Sequence, residues 1–308
     1  MNWIYKGKDD VIFDTASNKK KKEKIKNVKR FLLAAFVLIL LALFLIFKQY
    51  NFDLSSASGS KKEEKTTIEE TTKRKVKYSN DQSTFLFFCS DDEKTKLEFL
   101  SAVRFDLKND KIYIHPIDIN GVNLTYRDFS GNISATPGNC FKSGGKAMLV
   151  EGCESYLGKK IDKYIGTTQT DLQNIIINFP SVKIDIEEDL TLSRNGDKVY
   201  FPKGIREISD ANVFKYMTYN GRNNTEALLK DQGKVFEAGI KGFINESFVE
   251  NIDVIFERVI NLSDSNISTF DVKSHKNDLE YFAGNNEKIK CEILLSIEDF
   301  SEILSKED

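Results

Sequence analysis

Long polar tracts alternate along the chain with short, dense apolar runs, and the runs set the expected elements. "FLLAAFVLILLALFLIF" (31–47) holds seventeen consecutive apolar residues without a charge. At about 1.5 Å rise each they make a rod of roughly 25 Å, enough to cross a bilayer with little tilt. A buried core helix would show a polar face, and this run has none. From Ser83 the texture changes. "TFLFFC" (84–89) reads as a strand buried on both faces, and "KIYIHP" (111–116) as a second, ended by Pro116. "MLVEGCESYLG" (148–158) predicts a helix ending at Gly158, and "DLQNIIINF" (171–179) one stopped by Pro180. "VKIDI" (182–186) alternates as a strand does, and "KVYF" (198–201) is another short one.

"GIREISDANVFKYM" (204–217) opens a short helix. Ser209 can cap it, Asp210 puts negative charge at its positive end, and Ile208 and Val213 sit at hydrophobic-staple positions. In "TEALLKDQGKVFEAGIKGFI" (225–244), Leu228, Gln232, Val235, Phe236, Gly239, Ile240 and Phe243 share one helical face. "STFDV" (268–272) and "CEILLS" (291–296) are late strand candidates, and "EDFSEIL" (298–304) a last helix. Interleaved strands and helices predict an α/β fold: a three-layer α-β-α domain with a central mixed sheet over 83–308, preceded by one transmembrane helix.

Charge sharpens this picture. The chain of 308 residues carries −2 overall, but residues 1–30 alone carry a net +6 and the remainder −8. Basic residues before an anchor hold the N-terminus in the cytoplasm, which places the body outside the cell membrane as a single-pass extracytoplasmic domain. Residues 48–82 are too polar to bury and read as a spacer. A lysine run beside an anchor is a topology signal, so no nucleic-acid partner is expected. Four cysteines without a CxxC pair, and only two histidines, argue against a zinc site. Outside the membrane Cys140 and Cys153 could form a disulfide, but four cysteines allow three full pairings and free thiols are equally open.

"GKKIDKYIGTTQTDLQNIIINFPSVKIDIEEDL" (158–190) resembles the core of the LytR-CpsA-Psr family through Ile161, Asp162, Tyr164, Asp171 and the following helix and strand. "GIREISDANVFKYM" resembles that family's Gly-x-x-x-Leu-Ser/Asp segment through Gly204, Ile208, Ser209, Val213, Phe214 and Tyr216, and "KSGGKAMLVEGCESYLG" (142–158) resembles its Tyr-Gly-Gly helix start. The resemblance implies transfer of a cell-wall glycopolymer from a polyprenyl-pyrophosphate carrier to peptidoglycan. It implies an apolar cavity for the lipid, arginines on the pyrophosphate and a Mg²⁺ ion held by carboxylates.

The charged positions depart from the family pattern. Asp91 is kept, while Cys89 and Glu93 stand for a glycine and an arginine; Lys96 and Glu98 stand for an arginine and an aspartate. Asp91 and Glu98 would then be the metal ligands. After Pro116, Asp118 is kept as a candidate catalytic group, but Ile117 stands where an arginine belongs. Thr218 and Asn220 replace the arginines of Arg-x-Arg, and further on only Gln232 matches. Arg222 and Lys230 lie close enough in sequence to substitute, Arg222 in catalysis and both, with Lys96 and Gln232, in substrate binding. Lysine supplies the charge without the planar fork. From residue 83 onward there are only the arginines 104, 127, 194, 206, 222 and 258.

These departures leave three readings. One is a membrane-anchored envelope protein that binds lipid-linked glycopolymer at a degenerate site. The second is an active phosphotransferase, with Asp91, Glu98 and Asp118 converging at the mouth of an apolar cavity. The third is an unrelated membrane-anchored interaction protein, which would show a foreign sheet order.

Overall fold

The computed structural model describes residues 82–128, 131–177, 181–209 and 211–306. The basic tail, the apolar run 31–47 and nearly all of the spacer lie outside the described residues, as do Pro180 and Asp210. Among the described residues no helix is long and apolar enough to cross a membrane.

In chain order the elements are β1 (Ser83–Ser90), β2 (Leu97–Asp106), β3 (Lys111–Pro116), β4 (Leu124–Asp128), β5 (Gly131–Ala135), α1 (Pro137–Leu157), β6 (Lys163–Thr168), α2 (Gln169–Ile176), β7 (Val182–Ile186), β8 (Leu190–Arg194), β9 (Asp197–Phe201) and β10 (Gly204–Ile208). There follow α3 (Ala211–Thr218), α4 (Thr225–Phe243), α5 (Glu246–Glu250), α6 (Ile252–Asn261), β11 (Asp264–Ser265), α7 (Thr269–Ser274), α8 (Lys276–Asn285), β12 (Lys290–Ile293) and α9 (Ile297–Ser305). Six strands form one sheet in the order β11-β6-β1-β2-β3-β12. β1 pairs parallel with β6 and β3 with β12, while β1–β2, β2–β3 and β6–β11 are antiparallel. The sheet is therefore mixed, as expected.

Alternation along the strands divides the core between the two faces. Leu86 and Phe88 of β1 and Leu100 and Ala102 of β2 pack with Cys140 and Leu149 of α1 and Phe300 of α9. Phe87, Val103, Ile112 and Ile114 face the other way, toward Phe236 and Ile240 of α4 and Phe282 of α8. Both faces are covered by helices, which is why β1 reads as a continuous apolar run.

Several expectations are corrected. "STFDV" is not a strand but the start of α7. Ser268 caps it, and the Asp271 side chain reaches back in a full capping box, so local capping outweighs the β-branched composition. α1 begins at Pro137, well before Met148, with Thr136 as N-cap and a bend at Gly145, whose φ of 60° a side chain would resist. β2 has no counterpart in the apolar pattern, for a reason given below. Cys89, Cys140, Cys153 and Cys291 are all free thiols.

Candidate functional site

The strand alternation breaks where β1 ends. Cys89 pairs with Phe99 and Ser90 with Leu97, so Glu98 is the extra residue of a β-bulge. The bulge turns Leu97 onto the α1 face with Leu100, while Phe99 faces the opposite core. It also re-aims Glu98, whose side chain is only 3% exposed. Burying an unpaired carboxylate is costly. Arg194 answers it as a bidentate fork, Nη1 donating to Oε2 and Nη2 to Oε1, both at 2.7 Å. That hydrogen bonding, ahead of the opposing effect of burial, raises the Arg194 pKa above its usual value. Arg194 closes the β8–β9 hairpin through Asn195 and Gly196, both at positive φ (51° and 87°), the geometry of a two-residue primed turn.

The surrounding acids are satisfied from nearby. Asp91 accepts from the Thr95 amide (2.7 Å), the Thr95 hydroxyl (2.7 Å) and the Lys96 amide (2.9 Å). Partial desolvation pushes its pKa up, but these bonds win and lower it. Asp92 ties the same loop to α2 by accepting from the Thr170 amide and hydroxyl, both at 2.8 Å, which holds its pKa down. Asp171 takes the Thr168 hydroxyl at 2.8 Å. Beneath them the Cys89 thiol is fully buried, and desolvation pushes its pKa up to about 12, so it is inert as a nucleophile at neutral pH.

Beside this rim lies an apolar cavity of about 490 Å³ between the sheet and α4. Phe99, next to Glu98, lines it together with Phe85, Phe87, Phe105, Phe236 and Ile240. The lining runs along β1 from Phe88 to Ser83.

The other candidate residues are placed differently. Arg222 has a side chain only 4% exposed and donates from Nε to Asp231 at 2.6 Å. Its Nη1 donates to the Tyr219 carbonyl at 3.2 Å and its Nη2 to that of Tyr216. Gln232 Nε2 donates to the Met217 carbonyl at 2.9 Å. Together they satisfy the carbonyls at the end of α3, where a helix leaves them unpaired and favours a cation. Lys230 pairs with Glu187 at 2.7 Å, and Lys234 joins them at 2.9 Å; the hydrogen bond from Lys230, then that from Lys234, lowers the Glu187 pKa to about 2. Lys96 is exposed and stands 3.4 Å from Glu98. Asp118 turns its Oδ1 to the Asn120 amide at 2.9 Å. Asp91, Glu98 and Asp118 share no hydrogen bond. Among the described residues no group of three or more His, Cys, Asp or Glu side chains is placed to hold a metal. Mg²⁺ needs carboxylate oxygens open to it. Both oxygens of Glu98 face Arg194, and those of Asp91 face Thr95 and Lys96, so these residues as arranged do not fit the ion.

No protein-family model matches the sequence, and no curated protein does. Solved structures do. TagV of B. subtilis superposes with a TM-score of 0.61 at 18% identity, over 74% of this chain and 97% of that one. TagT bound to LI-WTA gives 0.54 at 13%, over 77% and 93%. Protein gbs0355 of Streptococcus agalactiae gives 0.56 at 15%, over 69% and 77%. TagV and TagT are LytR-CpsA-Psr proteins. The chain has a LytR-CpsA-Psr-like fold. A foreign sheet order, expected of an unrelated interaction protein, is thereby set aside.

Within this LytR-CpsA-Psr-like body, three positions that the family resemblance assigns to arginine, 117, 218 and 220, are structural, while Glu93 and Lys96 are exposed. Ile117 is in the core at 1% exposure. Thr218 donates its hydroxyl to the Phe214 carbonyl at 2.9 Å, and the Asn220 backbone pairs with that of Ser193. The guanidinium at the rim is Arg194, which sequence reasoning passed over. Its signal was an arginine directly before an Asn-Gly hairpin turn.

Proposed function

We propose that this chain is a membrane-anchored, extracytoplasmic protein of cell-envelope assembly that binds a lipid-linked cell-wall glycopolymer at a degenerate transferase site. The likeness to LytR-CpsA-Psr proteins, among them TagT bound to wall teichoic acid, supports the envelope role. One observation carries the finer reading: an apolar cavity adjoins a rim whose guanidinium is already neutralised by a buried carboxylate. Burial of a polyprenyl chain in such a cavity is favourable at about 25 cal/mol per Å² of apolar surface. A pyrophosphate gains little there. Recruiting Arg194 would break the buried pair and leave Glu98 only the exposed Lys96 at 3.4 Å, at a cost of up to about 3–5 kcal/mol. The reading therefore assigns affinity to the lipid and no transfer chemistry to the headgroup.

Titration of the full-length chain in nanodiscs with a polyprenyl-pyrophosphate tests this. Saturable binding is expected, and EDTA or added Mg²⁺ should leave it unchanged. Gly239 lines the cavity, and an added Cβ there meets only the Phe243 ring, at 3.6 Å. Gly239→Leu, whose Cβ fits there, should therefore take up cavity space and weaken binding at least about tenfold, or ~1.4 kcal/mol. Binding that needs Mg²⁺ would favour an active phosphotransferase instead, and affinity indifferent to Gly239→Leu would remove the cavity from the account.

A further inference from the structure

The end of the sheet opposite the Glu98–Arg194 rim is built differently. β1 starts there at Ser83, paired with Phe105 near the end of β2; β6 starts there at Lys163, paired with Phe85; and β12 starts there at Lys290, paired with Lys111. The Leu107–Asn109 turn joins β2 to β3 at the same end. The Lys163–Asp271 ion pair, at 2.7 Å, brings α7 to it, and the Tyr281 hydroxyl, donating to Asp110, brings α8.

This end presents Lys108, Lys273, Lys276, Lys288 and Lys290, all exposed. Among its acids, Asp271 meets Lys163, Asp110 accepts from Tyr281, Asp278 meets His275 at 2.8 Å, Asp162 accepts from the Thr84 amide at 2.7 Å and Glu292 pairs with Lys111 at 2.8 Å. Asp162 and Glu287 are its exposed acids, against those five exposed lysines, and Glu280 on α8 is half-buried. On α7 stands Phe270, 78% exposed, the most exposed large apolar side chain among the described residues. Ser83, Lys163 and His275 also line the cavity, so it reaches this end. The chain enters the body here too, since β1 follows directly from the polar stretch that trails the apolar run 31–47.

The geometry points to this end as a docking face for an anionic lipid bilayer, with Phe270 entering the headgroup region and the lysines lying over acidic headgroups. Lysines attract such a surface, and one apolar ring adds insertion without spanning it. The proposal rests on the anchored reading given above, which would bring the body close to a bilayer. It goes further by orienting the body, cavity end down, on the bilayer that holds the lipid ligand.

The test uses the full-length chain carrying Trp3→Phe, which removes the native indole, and Phe270→Trp. It is reconstituted into vesicles of phosphatidylcholine, with or without phosphatidylglycerol, containing brominated acyl chains. In anionic vesicles the indole emission should shift to the blue and be quenched. High salt and the charge reversal Lys273→Glu/Lys276→Glu should each relieve the quenching, each lysine shifting the docking equilibrium about fivefold. Equal quenching in neutral vesicles overturns the role of charge. A chain that floats with vesicles while its indole stays unquenched overturns the docking face alone. A chain that fails to float with either vesicle overturns the anchor.

Discussion

The two ends of the central sheet handle charge in opposite ways. At the rim, Asp91, Asp92, Glu98 and Asp171 crowd together, and each is met by a donor from the protein itself. At the other end, exposed lysines outnumber the free acids, and the neighbouring carboxylates are taken by Lys163, Tyr281 and His275. One end is closed on itself electrostatically and the other is open to an outside partner. The apolar cavity joins them. A cavity of this fold with a clamp at its rim would hold a ligand by the phosphate. With the rim satisfied internally, the proposed reading would shift recognition to a lipid chain and to the surface from which it comes.

The largest expected effect breaks the rim. Arg194→Ala leaves the buried Glu98 only the exposed Lys96 at 3.4 Å and should lower unfolding free energy by about 3 kcal/mol, read by urea denaturation. Glu98→Ala leaves Arg194, with a side chain 23% exposed, partly in water and should cost clearly less. The same Glu98→Ala variant frees the guanidinium, so it should bind inorganic pyrophosphate where the parent chain does not, by calorimetry. Equal stability losses in the two variants would show that the pair is not the buried unit described.

A smaller loss is expected at the end of α3. Arg222→Ala removes the donors to the Tyr216 and Tyr219 carbonyls and leaves Asp231 with Lys234 at 3.8 Å, and should cost about 2 kcal/mol; Gln232→Ala should cost about 1 kcal/mol. Both should leave lipid affinity in place. A selective loss of pyrophosphate-lipid binding would return these residues to the ligand.

The smallest effect is a pH control on the face away from the cavity. His115 is buried, its Nδ1–H donating to the Leu294 carbonyl at 2.8 Å and its ring stacked on Phe300 at 5.1 Å. Burial lowers its pKa, ahead of the opposing backbone bond. The folded state thus takes up its proton at lower pH than the unfolded state. Its contribution is present above the unfolded value of about 6.5 and is lost as pH falls below that toward the folded value. The melting temperature should therefore fall from pH 7.5 to 5.5, and this slope should flatten in His115→Gln. The rim carboxylates Asp91 and Asp92 have lowered pKa values and stay ionised throughout that window, so a slope unchanged in the variant would point elsewhere.

Much of the fold was legible along the chain. The apolar run at 84–89, the strand 111–116 and the alternation at 182–186 became β1, β3 and β7, because burial on one or both faces leaves a period in the sequence. Helix α4 was legible for the same reason. β2 was not, since the bulge at Glu98 breaks its parity and puts a buried acid at its start. α7 was misread because β-branched and aromatic residues hid a Ser268–Asp271 capping box. At the site, Glu98 was identified by its position, but its partner was not. Arg222 was assigned to a ligand by proximity in sequence and Gln232 by its match to the family pattern, whereas both hydrogen-bond carbonyls at the end of a helix.

The chain alone determined where apolar segments fall, how its charge divides between tail and body, and which arginines are missing. These are properties of neighbours a few residues apart. Only the tertiary structure decided that Glu98 meets Arg194, 96 positions away, or that lysines from separate turns and helices share one end of the sheet. Such pairings depend on strand register and on the cost of burying a charge alone, and neither is written in local periodicity.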